Sequence, residues 1–177
     1  EQGIEVYLRE RADRLPEFLA ITRVSARLST LVAVLRDPQA MPRWVYRTRS
    51  VQVLEAPDAT RGLSRVITGM PWPLQDRESI VEWQLRQDAA SGEVLLEGRN
   101  SSDPVPPLPS VVRMPRFVSS WAFKPLGGGQ VEVRFSGYGN LGGNLAEGAL
   151  RAFVDSAIWV APLETVRGLR EMIQKPE

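Results

Sequence analysis

The sequence predicts an α+β domain in which a curved antiparallel sheet grips one long C-terminal helix. Two observations predict it. Between residues 47 and 139, segment after segment alternates apolar and polar side chains with period two, and turn residues separate the segments. After residue 144 the period becomes helical and stays so to residue 174. Meandering strands closed by one amphipathic helix must bury the apolar face of their sheet against that helix.

The elements follow in order. Ile4, Val6 and Leu8 alternate with Glu5, Tyr7 and Arg9 and predict a first strand, and residues 17–24, after Pro16, predict a second. Ser25 stands where it would cap a helix whose Leu28, Leu31, Val32 and Leu35 fall at i, i+3, i+4 and i+7, and Asp37-Pro38 ends that helix. Further strands are predicted over 47–56, 62–69, 77–88, 92–99, 113–125 and 130–139, with turn signals at Pro57-Asp58, Ser91-Gly92 and Gly127-Gly128-Gly129. Val81, Trp83 and Leu85 oppose Glu82, Gln84 and Arg86, so one face of each strand is expected to be wet. The final stripe runs through Leu150, Phe153, Val154, Ala157, Ile158, Ala161, Val166, Leu169, Met172 and Ile173, and Pro162 within it is expected to kink the helix. No repeat, low-complexity tract or long linker divides the chain, so residues 1–177 read as a single domain.

Composition narrows the chemistry. A hydrophobic fraction of 43% and a charged fraction of 24% are those of a soluble globular protein, and a net charge of +1 gives no field for nucleic acid. The longest apolar run, Leu31-Val32-Ala33-Val34-Leu35, is far short of a membrane span. With no Cys and no His, thiolate nucleophiles, disulfides, Cys/His metal sites and Ser-His-Asp triads are excluded, and no metal or other cofactor is expected. The chain begins at Glu1; a cleaved signal peptide and a trimmed end fit equally, so periplasmic, secreted and cytoplasmic locations all stay open.

Several motifs fail their tests. Residues 137–142, GYGNLG, match G-x-G-x-x-G between a strand and a helix, but a dinucleotide site needs a parallel strand after that helix and an acid about twenty residues on. Here the chain ends with the helix, and Asp155 and Glu164 lie on it, so a glycine-rich corner is the better account. Gly127-Gly128-Gly129 reads as a hairpin turn. Asn100-Ser101-Ser102 is a formal sequon of a kind common by chance. DPVPPLP at 103–109 reads as a stiff connection, with a polyproline docking strip as its alternative. Glu82, Glu132 and Asp155 all oppose apolar positions, so no inward pair for acid–base work is found and no catalytic residue is assigned.

One stretch needs another explanation. Residues 70–78 read MPWPLQDRE, where two prolines make a loop of a segment that also carries Met70, Trp72 and Leu74. Loops lie on the surface and are normally polar. An apolar loop either plugs a core or covers something that comes and goes. Asp76, Arg77 and Glu78 then return the chain to the wet face of the next strand.

MPWPLQDRE, RMPRFVSSWAFKPLGGGQVEV, GYGNLGGNL and PLETVRGLREMI, with GIEVYLRE and DPQAMPRWV upstream, together resemble the START (steroidogenic acute regulatory protein-related lipid-transfer) family, especially its small bacterial members, over nearly the whole chain. The resemblance implies a helix-grip fold around an apolar tunnel that takes a lipid, often a sterol, phospholipid or ceramide. It makes the 70–77 loop a lid against the C-terminal helix, and it implies an N-terminal helix before the first strand that this chain lacks. The function implied is lipid binding or transfer by a protein that is not an enzyme; a cyclase- or aromatase-like activity on a hydrophobic substrate, known in the wider superfamily, is the alternative.

The expected ligand contacts are Val66, Met70, Trp72, Trp83, Arg113, Phe117, Trp121, Phe135, Leu150, Phe153, Val154, Ala157 and Ile158. The inward aromatics among them either pack as plain core or wall a cavity of several hundred Å³. Sterol-carrying members place an arginine on the strand after the lid, paired with an acid on the strand before it. That arginine position falls at Trp83 here and residues 64–68 offer no acid, so the buried pair is expected to be absent. Arg65 or Arg113 would supply a different polar contact, unless both are solvent-exposed strand arginines. The expected partners are a lipid or other hydrophobic small molecule and a transient membrane contact, for a monomer that binds no nucleic acid.

Overall fold

The computed structural model describes residues 3–102, 105–143 and 147–174, except for the side chains of 147–152, 154 and 155. The strands are β1 (Ile4–Glu10), β2 (Pro16–Ser25), β3 (Thr48–Asp58), β4 (Arg61–Thr68), β5 (Arg77–Gln87), β6 (Val94–Asn100), β7 (Val112–Arg113), β8 (Arg116–Gly127) and β9 (Gln130–Asn140). The helices are α1 (Leu28–Leu35) and α2 (Glu147–Gln174), with a 3₁₀ turn at Met41–Arg43. One sheet runs in the order β1-β2-β9-β8-β6-β5-β4-β3, antiparallel at every step, and β7 adds a parallel pairing to β5. This is the curved antiparallel sheet with a C-terminal helix that the patterning predicts.

Three local expectations change. Ser25 does not cap α1; it ends β2, paired with Gln130, and the helix begins after Arg27 without a side-chain cap. The segment 113–125 is not one strand. Val112 and Arg113 pair with β5, Met114-Pro115 interrupts, and β8 resumes at Arg116 against β6 and β9. Proline has no N–H for a ladder, so the break falls at Pro115. Nor is β5 wet on one face throughout. Arg77, Glu78, Ser79, Ile80 and Val81 are all buried: Arg77 lies against the carbonyls of Leu141 and Gly142, and residues 105–113 cross over Glu78 on the face turned away from α2. Main-chain bonds from Ser101, Val112 and Met114 to the carbonyls of Ile80, Asp76 and Glu78 hold that crossing in place.

The core gathers at one end of α2. Val166 and Leu169, both 0% exposed, pack with Ile4, Ala20, Val24, Leu31, Leu35 and Phe123. The helix continues through Pro162, which is itself buried. Two contacts seat the second half on the segment before β3. Tyr46 donates its N–H to Thr165 Oγ1 at 3.1 Å. At Gly168 the helix backbone lies directly on Trp44, and a Cβ there would collide with the Trp44 carbonyl oxygen and stand 3.0 Å from its Cα. Gly168→Ala is therefore expected to lower stability by about 1–3 kcal/mol through overpacking, despite a gain of about 1 kcal/mol in helix propensity. Urea unfolding of the variant beside the parent measures the difference.

Candidate ligand cavity

Strand side chains alternate between faces and helix side chains recur every third or fourth position, so the residues between sheet and helix follow from the register. From α2 come Phe153, Ala157, Ile158, Ala161 and Thr165. From the sheet come Val51 and Val53 on β3, Ser64, Val66 and Thr68 on β4, Val81 and Trp83 on β5, Leu96 and Gly98 on β6, and Phe117, Ser119 and Trp121 on β8. Phe135 on β9 and Phe18 on β2 complete that side. These residues enclose about 700 Å³. Close-packed interiors leave voids scarcely larger than a water, whereas ligand sites span roughly 300–1,000 Å³, so this space is of ligand size.

Nine of the thirteen expected contacts line it: Val66, Met70, Trp83, Phe117, Trp121, Phe135, Phe153, Ala157 and Ile158. The Trp121 and Phe135 rings stack at 4.1 Å with 14° between their planes, and Phe18 meets Phe135 edge-on at 4.9 Å. Trp83 donates Nε1–H to Ser64 Oγ at 3.1 Å, which fixes its indole on the wall. Leu150 and Val154 lie outside the described residues. Trp72 and Arg113 are elsewhere. Trp72 is 92% exposed and is not among the residues that line the cavity, while Met70 and Leu74 beside it are buried. A carboxylate dictates this split. Asp76 accepts the Met70 N–H at 2.9 Å and pairs with Arg49 at 2.6 Å, closing the 69–76 loop on itself with Met70 turned inward.

Arg113 belongs to a buried charge cluster on the opposite face of the sheet. Glu78, 0% exposed, lies between Arg113 and Arg65: Arg113 Nε donates to Oε2 at 2.8 Å, and Arg65 Nε stands 2.8 Å from Oε1 without hydrogen-bond alignment. The two arginines also donate to the carbonyls of Val105 and Pro106 at 3.1 Å, so the proline-rich connection is the cover over this cluster. A buried charged pair is thus present, but it faces away from the cavity. Nor are Arg77 and Glu78 on a wet face. Arg77 is fully buried; it donates to the carbonyls of Gln75 and of Leu141 at 2.7 Å. Burial lowers its pKa, against the opposing pull of Asp76. The same guanidinium thus ties the 69–76 loop to the segment leading into α2.

The reading from residues missed the segment between α1 and β3. Trp44, Val45, Tyr46 and Arg47 all line the cavity, and Trp44 packs edge-on to Trp121 at 5.7 Å. Their one visible signal is the concentration of aromatic residues in MPRWVYR, where no period assigns an element. Among the described residues no group of His, Cys, Asp and Glu could hold a metal, and no helix is long and apolar enough to cross a membrane.

Comparison with known proteins places this geometry. The sequence profile described as polyketide cyclase / dehydrase and lipid transport matches residues 20–159. The chain belongs to that family. Within it the fold is the START helix-grip fold. A STAR-related lipid transfer protein from Xanthomonas axonopodis superposes with a TM-score of 0.86 at 24% identity, covering 99% of this chain and 96% of that one. Human StAR-related lipid transfer protein 5 superposes with a TM-score of 0.83 at 14% identity over 98% of this chain and 83% of that one. An uncharacterised protein of Pseudomonas aeruginosa is 25% identical over 99% of this chain and 84% of its own length. Family and fold together point to hydrophobic-ligand binding.

The buried cluster yields a stability test. Glu78→Ala strands two arginines beneath the 105–113 cover, and loss of one partner from a buried pair costs about 3–5 kcal/mol. That loss should appear in denaturant melts as a lower midpoint.

Proposed function

We propose that the protein binds a lipid in the cavity between sheet and α2 and exchanges it past the 69–76 loop. The observation that carries this reading is the cavity itself. Its walls come from strand after strand at alternate positions, and a chain that needed only a core would have filled about 700 Å³ with larger side chains. Three tryptophans and four phenylalanines on the wall offer broad apolar contact to a flexible tail. Burying about 400 Å² of apolar ligand at ~25 cal/mol per Å² contributes on the order of 10 kcal/mol before the costs of association.

The family description also covers cyclases and dehydrases. Acid–base chemistry of that kind needs a carboxylate or other base within reach of substrate. Among the described residues the only carboxylate at the cavity is Asp58, which accepts from Thr60 and Arg61 at the β3–β4 turn. Thr60 and Arg61 hold its pKa down, to about 2. So placed, it is a poor base, and binding without turnover is the function we favour.

Mass spectrometry of lipids extracted from the purified protein tests the proposal directly: recurrent recovery of one lipid class is expected, and repeated recovery of none would sink it. Ala157→Trp fills the cavity from α2 and should weaken binding of a fluorescent fatty-acid probe by roughly tenfold or more. Trp72 projects from the loop with its ring in solvent, suited to dip into a bilayer interface during exchange. Trp72→Ala should change unfolding free energy by no more than about 0.5 kcal/mol while slowing lipid transfer between vesicles severalfold. An unchanged transfer rate would remove Trp72 from the exchange step.

A further inference from the structure

We propose that Arg47 is the head-group receptor of this cavity, and that the preferred ligand is an amphiphile with an anionic head, a carboxylate or a phosphate. The inference deepens the lipid-binding proposal and rests on it. Among the described residues three charged side chains border the cavity: Arg36, Arg47 and Asp58. Asp58 is already answered by Arg61, whose Nε lies 2.9 Å from Oδ2, and by the Thr60 hydroxyl at 2.6 Å. The two arginines make no ion pair among the described residues, so the border of an otherwise apolar space carries uncompensated positive charge. A neutral ligand leaves that charge unanswered, and an anionic head answers it.

Arg47 is the better placed of the two. Its backbone has φ +54°, a left-handed conformation that costs a non-glycine residue free energy and that persists only where the surroundings enforce it. Here they do. The Arg47 carbonyl accepts the Gly69 N–H at 2.7 Å, which joins it to the first residue of the 69–76 loop. Next to it, Tyr46 is bonded through its N–H to Thr165 of α2. The guanidinium carbon lies 5.5 Å from the centre of the Tyr46 ring and 5.4 Å from that of Phe153 on α2. At that range the rings attract the cation and orient it. Nε donates to Tyr46 Oη at 3.2 Å, which leaves the terminal nitrogens free for a bidentate oxyanion. Arg47 thus sits where loop, helix and cavity meet. A head bound there would send its tail inward toward Trp121 and Phe135.

Calorimetric titration with oleate, oleyl alcohol, oleoyl lysophosphatidate and inorganic phosphate tests the assignment on the full chain. Oleate, lysophosphatidate or both should bind roughly tenfold tighter than the alcohol, the worth of a charge-assisted pair, and the preference should shrink as salt rises. The larger preference of the two identifies the head as carboxylate or phosphate. Arg47→Gln should bring the affinity of the anionic ligands down to that of the alcohol, and Arg47→Lys should retain part of the preference. Arg47→Gly suits the left-handed backbone and repeats the test if the glutamine variant fails to fold. Equal binding of anion and alcohol by the parent protein, or a preference that survives loss of the cation, overturns the head-group assignment and leaves the cavity proposal standing. Inorganic phosphate binding as tightly as lysophosphatidate overturns the amphiphile. Failure of all three oleyl compounds to bind overturns both proposals.

Discussion

The helix α2 is packed into the core along its second half, while Phe153, Ala157 and Ile158 of its first half line the cavity. The contact at Gly168 sets this arrangement, since only a residue without a Cβ lets the helix backbone rest on Trp44. Val166 and Leu169 then complete a dry core with β1, β2 and α1. Anchored there, the helix carries Phe153, Ala157 and Ile158 along the cavity, opposite the sheet residues that line it. Cavity and core are two ends of one lever, and the packed end makes the open end possible.

Charge does the corresponding work at the edges of the cavity. Arg77 reaches from the start of β5 to the carbonyls of Gln75 and Leu141, so the 69–76 loop and the approach to α2 share one buried cation. On the far face Glu78 gathers Arg65 and Arg113 and pins the proline-rich crossing to the sheet. Desolvated ions make a costly scaffold, but a directional one. They leave the apolar surface for the cavity and keep β5 rigid where Val81 and Trp83 form its wall.

Much of this could be read from residues alone, for a definite reason. A strand on a curved sheet shows its inner face as a period of two, so Trp83, Phe117, Trp121 and Phe135 declared their side, and the helical period did the same for Phe153, Ala157 and Ile158. Where no period exists, the reading failed. The Trp44–Arg47 segment follows a 3₁₀ turn and precedes β3, and its inward side is decided by α2, more than a hundred residues away in sequence. Met70 and Trp72 look equally greasy in a string, but the Asp76 bond turns one in and leaves the other out. Arg77 and Glu78 were misread because charged residues belong outside by default, and only the carbonyls of Gln75 and Leu141 around one and the cover of residues 105–113 over the other make an inside there; Arg113, expected at the cavity, belongs to that cover.

The cavity wall ends in β3, an edge strand with a neighbour on one side only. Its pairing with β4 shifts register between Thr48 and Ser50, between Val53 and Glu55 and again before Asp58, and Pro57 lies at its end. Such irregularity guards a free edge against pairing with another molecule. It has a mechanical meaning as well. Displacing β3 outward disturbs a single, repeatedly interrupted ladder, whereas β8 or β9 could yield only by straining ladders on both sides, whose one register shift lies at the Pro125–Gly127 end. The compliance of the container is therefore concentrated in the strand that carries Val51 and Val53, and guests of different girth would be accommodated there first.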